Sequence, residues 1–369
     1  MRPDHPQPLF KSIMINAAIT GGETTAAGEL IRILINHPDV NLLAVASETS
    51  AGRRLTEIHR GLEGDTELRL VPSIPEDTMK KVNMVFLCGE PWQAEHFFGV
   101  ISSNISERDD DPVRIVDLTG KYRGNDTMMV YGLPEANRKA LVRGATMCAI
   151  PSAGAMAIGL SLFPLLKSAI IPQQIDATLE TASTENFIPG SQSIAVSPDI
   201  STRFDPVAPA EYRPDAEYIS REISGWIRSF YPAYSGEINI RIKRTTAARG
   251  MNATIDISVP ASADQMCRLI DDAYSDHAFT YRVNHRPDTA EVANTNKCLL
   301  YVCDPTTPDD LGTASIGSIA SPLQGETSLR IISVMDNLLK GGAGNAVHCM
   351  NLLFGLSEKT GLALKASAF

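Results

Sequence analysis

The chain has 369 residues, enough for two domains or for one large α/β domain with an insertion. Hydrophobic residues make up 43% and charged residues 21%, which supplies a sizeable core and excludes disorder as the main state. Basic side chains number 33 and acidic ones 43, so the formal charge is −10, which excludes a general nucleic-acid or acidic-membrane surface.

Ser12 to Ile19 reads as a buried strand. Thr20 to Gly28 is a turn of small residues, and Glu29 to Ile35 has the apolar spacing of a helix, stopped by His37-Pro38. Val40 to Ala46 is a second strand. Strand, glycine turn, helix and strand form a βαβ unit, which implies a parallel sheet. In such a unit the first turn receives a dinucleotide pyrophosphate at the helix N-terminus, so Gly21, Gly22 and Thr24 are candidate cofactor contacts. Thr24 stands where a second glycine would let the phosphates approach, and Glu23 adds a negative charge to the same loop. Glu48 ends the second strand, where a carboxylate suits a ribose 2′-OH and favours NAD over NADP; Arg53 and Arg54 lie near enough to leave NADP open. A βαβ turn without a nucleotide is the plain alternative.

Lys81 to Cys88 and Pro112 to Leu118 read as the third and fourth strands. Met147 to Ile150 reads as the fifth and breaks at Pro151-Ser152-Ala153-Gly154 into a run of small and apolar residues. A strand that turns sharply into a helix is a frequent mount for a nucleophile. Here the turn offers only Ser152, which as plainly reads as a turn residue bonding its own backbone. Cys148 sits inside the strand and reads as core. Past Ser168, Ile175 to Ala182, Ile238 to Lys243, Ala253 to Val259 and Cys298 to Cys303 alternate apolar with polar side chains, the mark of half-exposed strands in an antiparallel or mixed sheet. Glu211 to Phe230 and Ala263 to Ser275 read as helices upon it. The fold class is therefore α/β, a doubly wound parallel sheet plus an α+β unit. The expected division is 1–155, 156–335 and a C-terminal helix over 336–369 that returns to the first domain.

The opening residues Met1 to Pro8 are polar and proline-rich and lack the apolar core of a signal peptide. The uncharged window Ala145 to Leu166 is broken by prolines and glycines and reads as strand, turn and helix, not a membrane span. The six cysteines are scattered, and Cys298 and Cys303 have no second pair to complete a zinc site, so no metal is expected and the thiols read as reduced in a cytoplasmic protein.

Together these residues resemble the N-acetyl-γ-glutamyl-phosphate reductase family of the semialdehyde dehydrogenase superfamily, from about Ile13 to Leu364. The resemblance rests on Gly21-Gly22, Gly28-Glu29-Leu30, His37-Pro38, Val116-Asp117-Leu118-Thr119 with Arg123, and Tyr131-Gly-Leu-Pro-Glu135. It continues through Arg249-Gly250, Asn294-Thr295-Asn296 with Cys298, and Asp336-Asn337 with Lys340-Gly and Ala-Gly344. It implies a Rossmann domain, an NAD(P)H cofactor lined by Asn337, Lys340 and Gly344, and a homodimer or homotetramer. It also implies a cysteine that attacks an acyl phosphate, with a histidine as acid/base. Both are missing from the matching positions. The nucleophile position is Ala153, and the histidine motif falls on Ala208 to Tyr212, without a histidine.

Alanine forms no thioester, so reduction of acyl phosphates is not expected. Three readings remain. The first is a repurposed NAD(P)H-dependent reductase acting on an amino-acid-derived carbonyl or imine, with Tyr212 as proton donor, Ser152 at the turn, and Asp117 and Arg123 shaping the substrate side. The second is a non-catalytic relative that binds a metabolite or partner, with no cofactor required. The third is a non-redox elimination or cyclisation of an amino-acid derivative.

Overall fold

The computed structural model describes residues 14–105, 112–123, 128–184, 213–305 and 325–366. The first half alternates strands and helices: β1 (Ile15–Thr20), α1 (Thr25–Leu34), β2 (Val40–Val45), α2 (Leu55–Ile58), α3 (Glu76–Met79), β3 (Met84–Leu87), α4 (Pro91–Ile105), β4 (Arg114–Asp117), β5 (Val130–Tyr131), α5 (Pro134–Val142) and β6 (Met147–Ala149). The strands form one parallel sheet in the order β2-β1-β3-β4-β6-β5. The order reverses between β1 and β3, and ligands of open α/β sheets bind outside the strand ends at such a reversal. Edge strand β5 has only two residues, too few to show a strand pattern in the sequence.

Helix α1 forms because Ala27, Leu30, Ile31 and Leu34 recur on one buried face and Thr24 caps its start. His37 and Pro38 end it: the His37 ring accepts the Asp39 N–H and hydrogen-bonds Asn351.

The second half runs α6 (Ala153–Lys167), β7 (Gln174–Thr181), α7 (Arg213–Phe230), β8 (Glu237–Arg244), β9 (Met251–Val259), α8 (Ala263–Tyr274), β10 (Thr280–Arg282), β11 (Cys298–Cys303), β12 (Thr327–Met335) and α9 (Ala343–Leu353). Its sheet is mixed, in the order β10-β11-β12-β9-β7-β8. Along β9 and β7 every second residue is buried, the alternation seen in the sequence. Two of its pairings are parallel, β7 with β8 and β10 with β11. The first follows from the connection: α7 lies between β7 and β8 and packs on β8, and a helical crossover returns the chain in the same direction.

Helix α6 joins the halves. It is buried on every side from Ala153 to Leu166 and packs against α7, α8, β9 and β12. A helix this uniformly apolar belongs in a core, where each fully buried leucine contributes about 1.5–3 kcal/mol. Its Ser161 hydroxyl donates to the Ala157 carbonyl, so the one interior hydroxyl is satisfied within the helix. Helix α9 packs on α1, α5 and β4 of the first sheet. Among the described residues no helix is long and apolar enough to cross a membrane.

Candidate active site

The turn between β6 and α6 is built around Ser152, which caps α6 by accepting the Ala155 N–H on its hydroxyl at 3.3 Å. The same hydroxyl donates to Glu222 Oε2 at 2.6 Å, and the Ser152 N–H donates to Glu222 Oε1 at 3.1 Å. The Tyr131 hydroxyl donates to Glu222 Oε1 at 3.0 Å. Glu222 comes from α7 and is only 6% exposed, yet three donors satisfy it and the Arg123 cation acts on it. Arg123 is held by its own Nε–H, which donates to the Ile150 carbonyl at 2.7 Å. Tyr218, one helical turn before Glu222, hydrogen-bonds Arg123 and donates to the Gly120 carbonyl at 3.3 Å. Burial pushes the Tyr218 phenol up from its ordinary value, and the Arg123 charge works against that.

The structure therefore brings Ser152 and Arg123 into one cluster with Tyr131, Tyr218 and Glu222. Asp117 stands beside them but turns to its own loop. Its carboxylate accepts the Thr119 N–H and hydroxyl at 2.9 and 2.5 Å and the Tyr122 N–H at 3.2 Å. Burial raises the Asp117 carboxyl, and the Thr119 donors and Arg123 offset part of that. Asp117 is fully buried, so its place is that of a turn builder that steadies Arg123. Tyr212 lies outside the described residues. The sequence reading passed over Glu222 and Tyr218, although one signal marks them: they lie four residues apart on α7, on the face that also carries Ile219, Ile223 and Trp226, and a lone glutamate on an apolar helix face needs a partner.

No thiol serves this turn. Cys148 is fully buried, and a hydrogen bond with Cys349, together with burial, raises it well above the ordinary range. Ala153 is 1% exposed and lies under the segment that follows β12; a Cβ added to Gly341 would come 2.7 Å from the Ala153 methyl. That segment was expected to line a cofactor, but its side chains turn inward. Lys340 is fully buried and donates to Glu135 at 2.7 Å and to Asn345 Oδ1 at 3.4 Å. Asn337 accepts the Gly250 N–H and donates to the Thr184 hydroxyl. Gly344 packs against Asn296 and the Leu339 carbonyl with no room for a side chain. The Lys340 ammonium is therefore not free to meet a ligand; its partner is Glu135. Among the described residues no group of His, Cys, Asp and Glu could hold a metal.

The second feature is the crevice between β1 and β3. Gly21 has φ +63, and a Cβ there would lie 2.3 Å from the Gly89 nitrogen, so only glycine allows the two loops to meet. Thr24 folds its hydroxyl back, donating to the Gly21 carbonyl at 2.9 Å and accepting the Ala27 N–H at 3.2 Å. His59 donates from Nε2 to the Gly22 carbonyl at 2.6 Å and packs its ring on Gly28. Glu48 is exposed just past β2. Glu23 is half-buried, with Oε2 shielded from solvent and without a hydrogen-bond donor, and its charge reaches the Cys88 thiol at the end of β3.

A family model described as semialdehyde dehydrogenase, NAD binding domain, matches residues 16–143. The N-acetyl-gamma-glutamyl-phosphate reductase of Parabacteroides distasonis is 34% identical over 362 residues, covering 96% of this chain and 100% of the relative. The chain belongs to the N-acetyl-gamma-glutamyl-phosphate reductase family. The reductase of that name from Flavobacterium johnsoniae is 30% identical with the same coverage. Solved structures share the fold: aspartate semialdehyde dehydrogenase II of Vibrio cholerae has a TM-score of 0.63 at 17% identity, covering 93% of this chain and 98% of that one. Aspartate semialdehyde dehydrogenase with NADP from Candida albicans has a TM-score of 0.63 at 12% identity, covering 92% and 98%.

For this member of the reductase family, the NAD-binding domain supports a nucleotide cofactor without settling NAD against NADP. Gly21 meets Gly89 backbone to backbone where β1 and β3 end, Thr24 folds its hydroxyl back into its own loop, and Glu48 is exposed just past β2. Glu23, in the loop between β1 and α1, is the group there least suited to a phosphate: it is acidic, and its shielded Oε2 has no hydrogen-bond donor.

Proposed function

We propose that this chain is a reductase that transfers hydride from NAD(P)H to an amino-acid-derived carbonyl or imine without a cysteine thioester. The observation that carries the reading is the Arg123–Tyr218 pair beside the turn where Ala153 takes the nucleophile position. Reduced nicotinamide, when bound, supplies the hydride. The chain must then deliver a proton to the oxygen or nitrogen that gains the charge. Tyr218 is the donor of this reading, because its hydroxyl is half-buried and sits against a guanidinium that stabilises the phenolate left behind. Tyr212, close by in the sequence, is the second candidate for that step. Arg123 also binds a substrate carboxylate or polarises the acceptor. Glu222 and Ser152 position these groups by fixing the turn, and Ala153 leaves the space beside Gly341 free of a thiol.

The test is nicotinamide oxidation with N-acetylglutamate semialdehyde and its imines, set against N-acetyl-γ-glutamyl phosphate. Oxidation is expected with the aldehyde or imine and not with the acyl phosphate, with resistance to thiol alkylation. Tyr218→Phe is expected to lower kcat about 100-fold or more. Turnover of the acyl phosphate would overturn the thioester-free reading. A second reading, a non-catalytic metabolite-binding relative, is favoured by the unpartnered Glu23 carboxylate and is what an inert but folded protein would support.

A further inference from the structure

We infer that Glu23 sets the nucleotide affinity of this protein, by opposing the pyrophosphate that the crevice otherwise accommodates. The inference rests on the reading of that crevice as a nicotinamide nucleotide site. The argument is one of sign. The N-terminus of α1 presents a partial positive charge of roughly half an elementary charge, which is what attracts phosphate to such turns. Glu23 precedes the cap residue Thr24 and carries a full negative charge to the same place. It outweighs the helix.

The neighbouring groups do not correct the balance. Arg249, which meets Glu29 beyond the first turn of α1, is spent on that carboxylate and on Asp336 at 3.2 Å. Arg32 is spent on Glu29 at 2.8 Å. Across the crevice the loop after β3 offers Cys88, Gly89 and Glu90, so the facing side adds acid and no base. The Thr24 hydroxyl and the Ala27 N–H are bonded to each other, which removes one donor that a phosphate would use. Glu23 Oε2 is shielded and receives no donor from the protein, so no hydrogen bond ties that side of the carboxylate down. Its effect is therefore on what enters the crevice, and a pyrophosphate carrying two negative charges is the part of the nucleotide that meets it.

Glu23→Gln and Glu23→Ala test this by titration calorimetry with NADH, NADPH, ADP-ribose and adenosine. Both variants are expected to bind the two reduced nucleotides and ADP-ribose at least tenfold more tightly than the native protein, with adenosine unchanged. Thermal melting of the variants without ligand checks that the fold is intact. Equal or weaker binding of the nucleotides by the variants overturns the inference, and so does a gain that extends to adenosine. Native protein that saturates with either reduced nucleotide, with no gain in the variants, leaves the reductase reading standing while the inference falls. Binding by the variants alone supports the inference and removes the reading for the native protein. No binding by any of the three proteins ends both.

Discussion

The turn after β6 and the turn after β1 are built alike and finished differently. In each, a strand of the parallel sheet runs into small residues, and a hydroxyl caps the helix that follows, Ser152 for α6 and Thr24 for α1. Each has a glutamate beside it. Glu222 receives donors from Ser152 twice and from Tyr131 once, whereas one oxygen of Glu23 receives none. A carboxylate whose partners are all in the chain is part of the fold. A carboxylate oxygen shielded without a donor costs about 1–3 kcal/mol. The comparison separates a turn whose polarity is settled from one that a ligand still decides.

The largest expected effect breaks or upholds that contrast. Glu222→Ala leaves three donors and the Arg123 charge without their acceptor and is expected to cost about 3–5 kcal/mol in urea unfolding, while Glu23→Ala stays within about 0.5 kcal/mol of the native protein or exceeds it. Equal losses would mean that both turns are structural. A third carboxylate, Glu135, stands between the two: its Oε1 takes the Thr280 hydroxyl and the Lys340 ammonium, while its buried Oε2 has no donor. Burial alone would raise Glu135, but the Lys340 charge and the Lys340 and Thr280 hydrogen bonds outweigh it and lower it from 4.5 to about 2. A carboxyl held below its unfolded value stabilises the fold above that value and ceases to do so as pH falls through the folded one. Stability on the order of 3 kcal/mol is therefore expected to disappear between pH 4.5 and about 2, and unfolding curves across that window should lose this slope in Glu135→Gln. Next in size is Ala153→Cys. Its sulfur must enter a space that Gly341 already touches, and a cost of about 1–3 kcal/mol should show as a lower Tm. The smallest is Thr24→Ala, about 1 kcal/mol from the lost cap, which should show as a slightly lower Tm.

The fold was readable wherever periodicity was long. The alternation in β7 and β9, the apolar face of α1 and the unbroken apolar run of α6 each set a burial pattern that the sequence displays directly. Strand β5 escaped because two residues carry no period, and the parallel pairing of β7 with β8 depends on the path of a connection, not on the residues paired. The site was readable on one side only. Ser152 and Arg123 stand out in the sequence as separate candidates, one at the turn and one on the substrate side, but Glu222 reaches Ser152 across 70 positions, and nothing local announces it. Lys340 shows the opposite failure: a lysine among glycines looks available for a ligand, and only the fold reveals that Glu135, 205 positions earlier, has taken it.

The all-round burial of α6 bears on how the molecule can be divided. Its packing partners are α7, α8, β9 and β12 of the second half, yet it begins at the very turn that ends the first sheet. A fragment cut after Ser152 would lose the α7 carboxylate that holds that residue in place. Because α6 is buried along its whole length, exchange of its amide hydrogens is expected to follow global, not local, opening. A protein of this build can vary what its crevices bind by changing loop residues such as Glu23, while α6 stays buried.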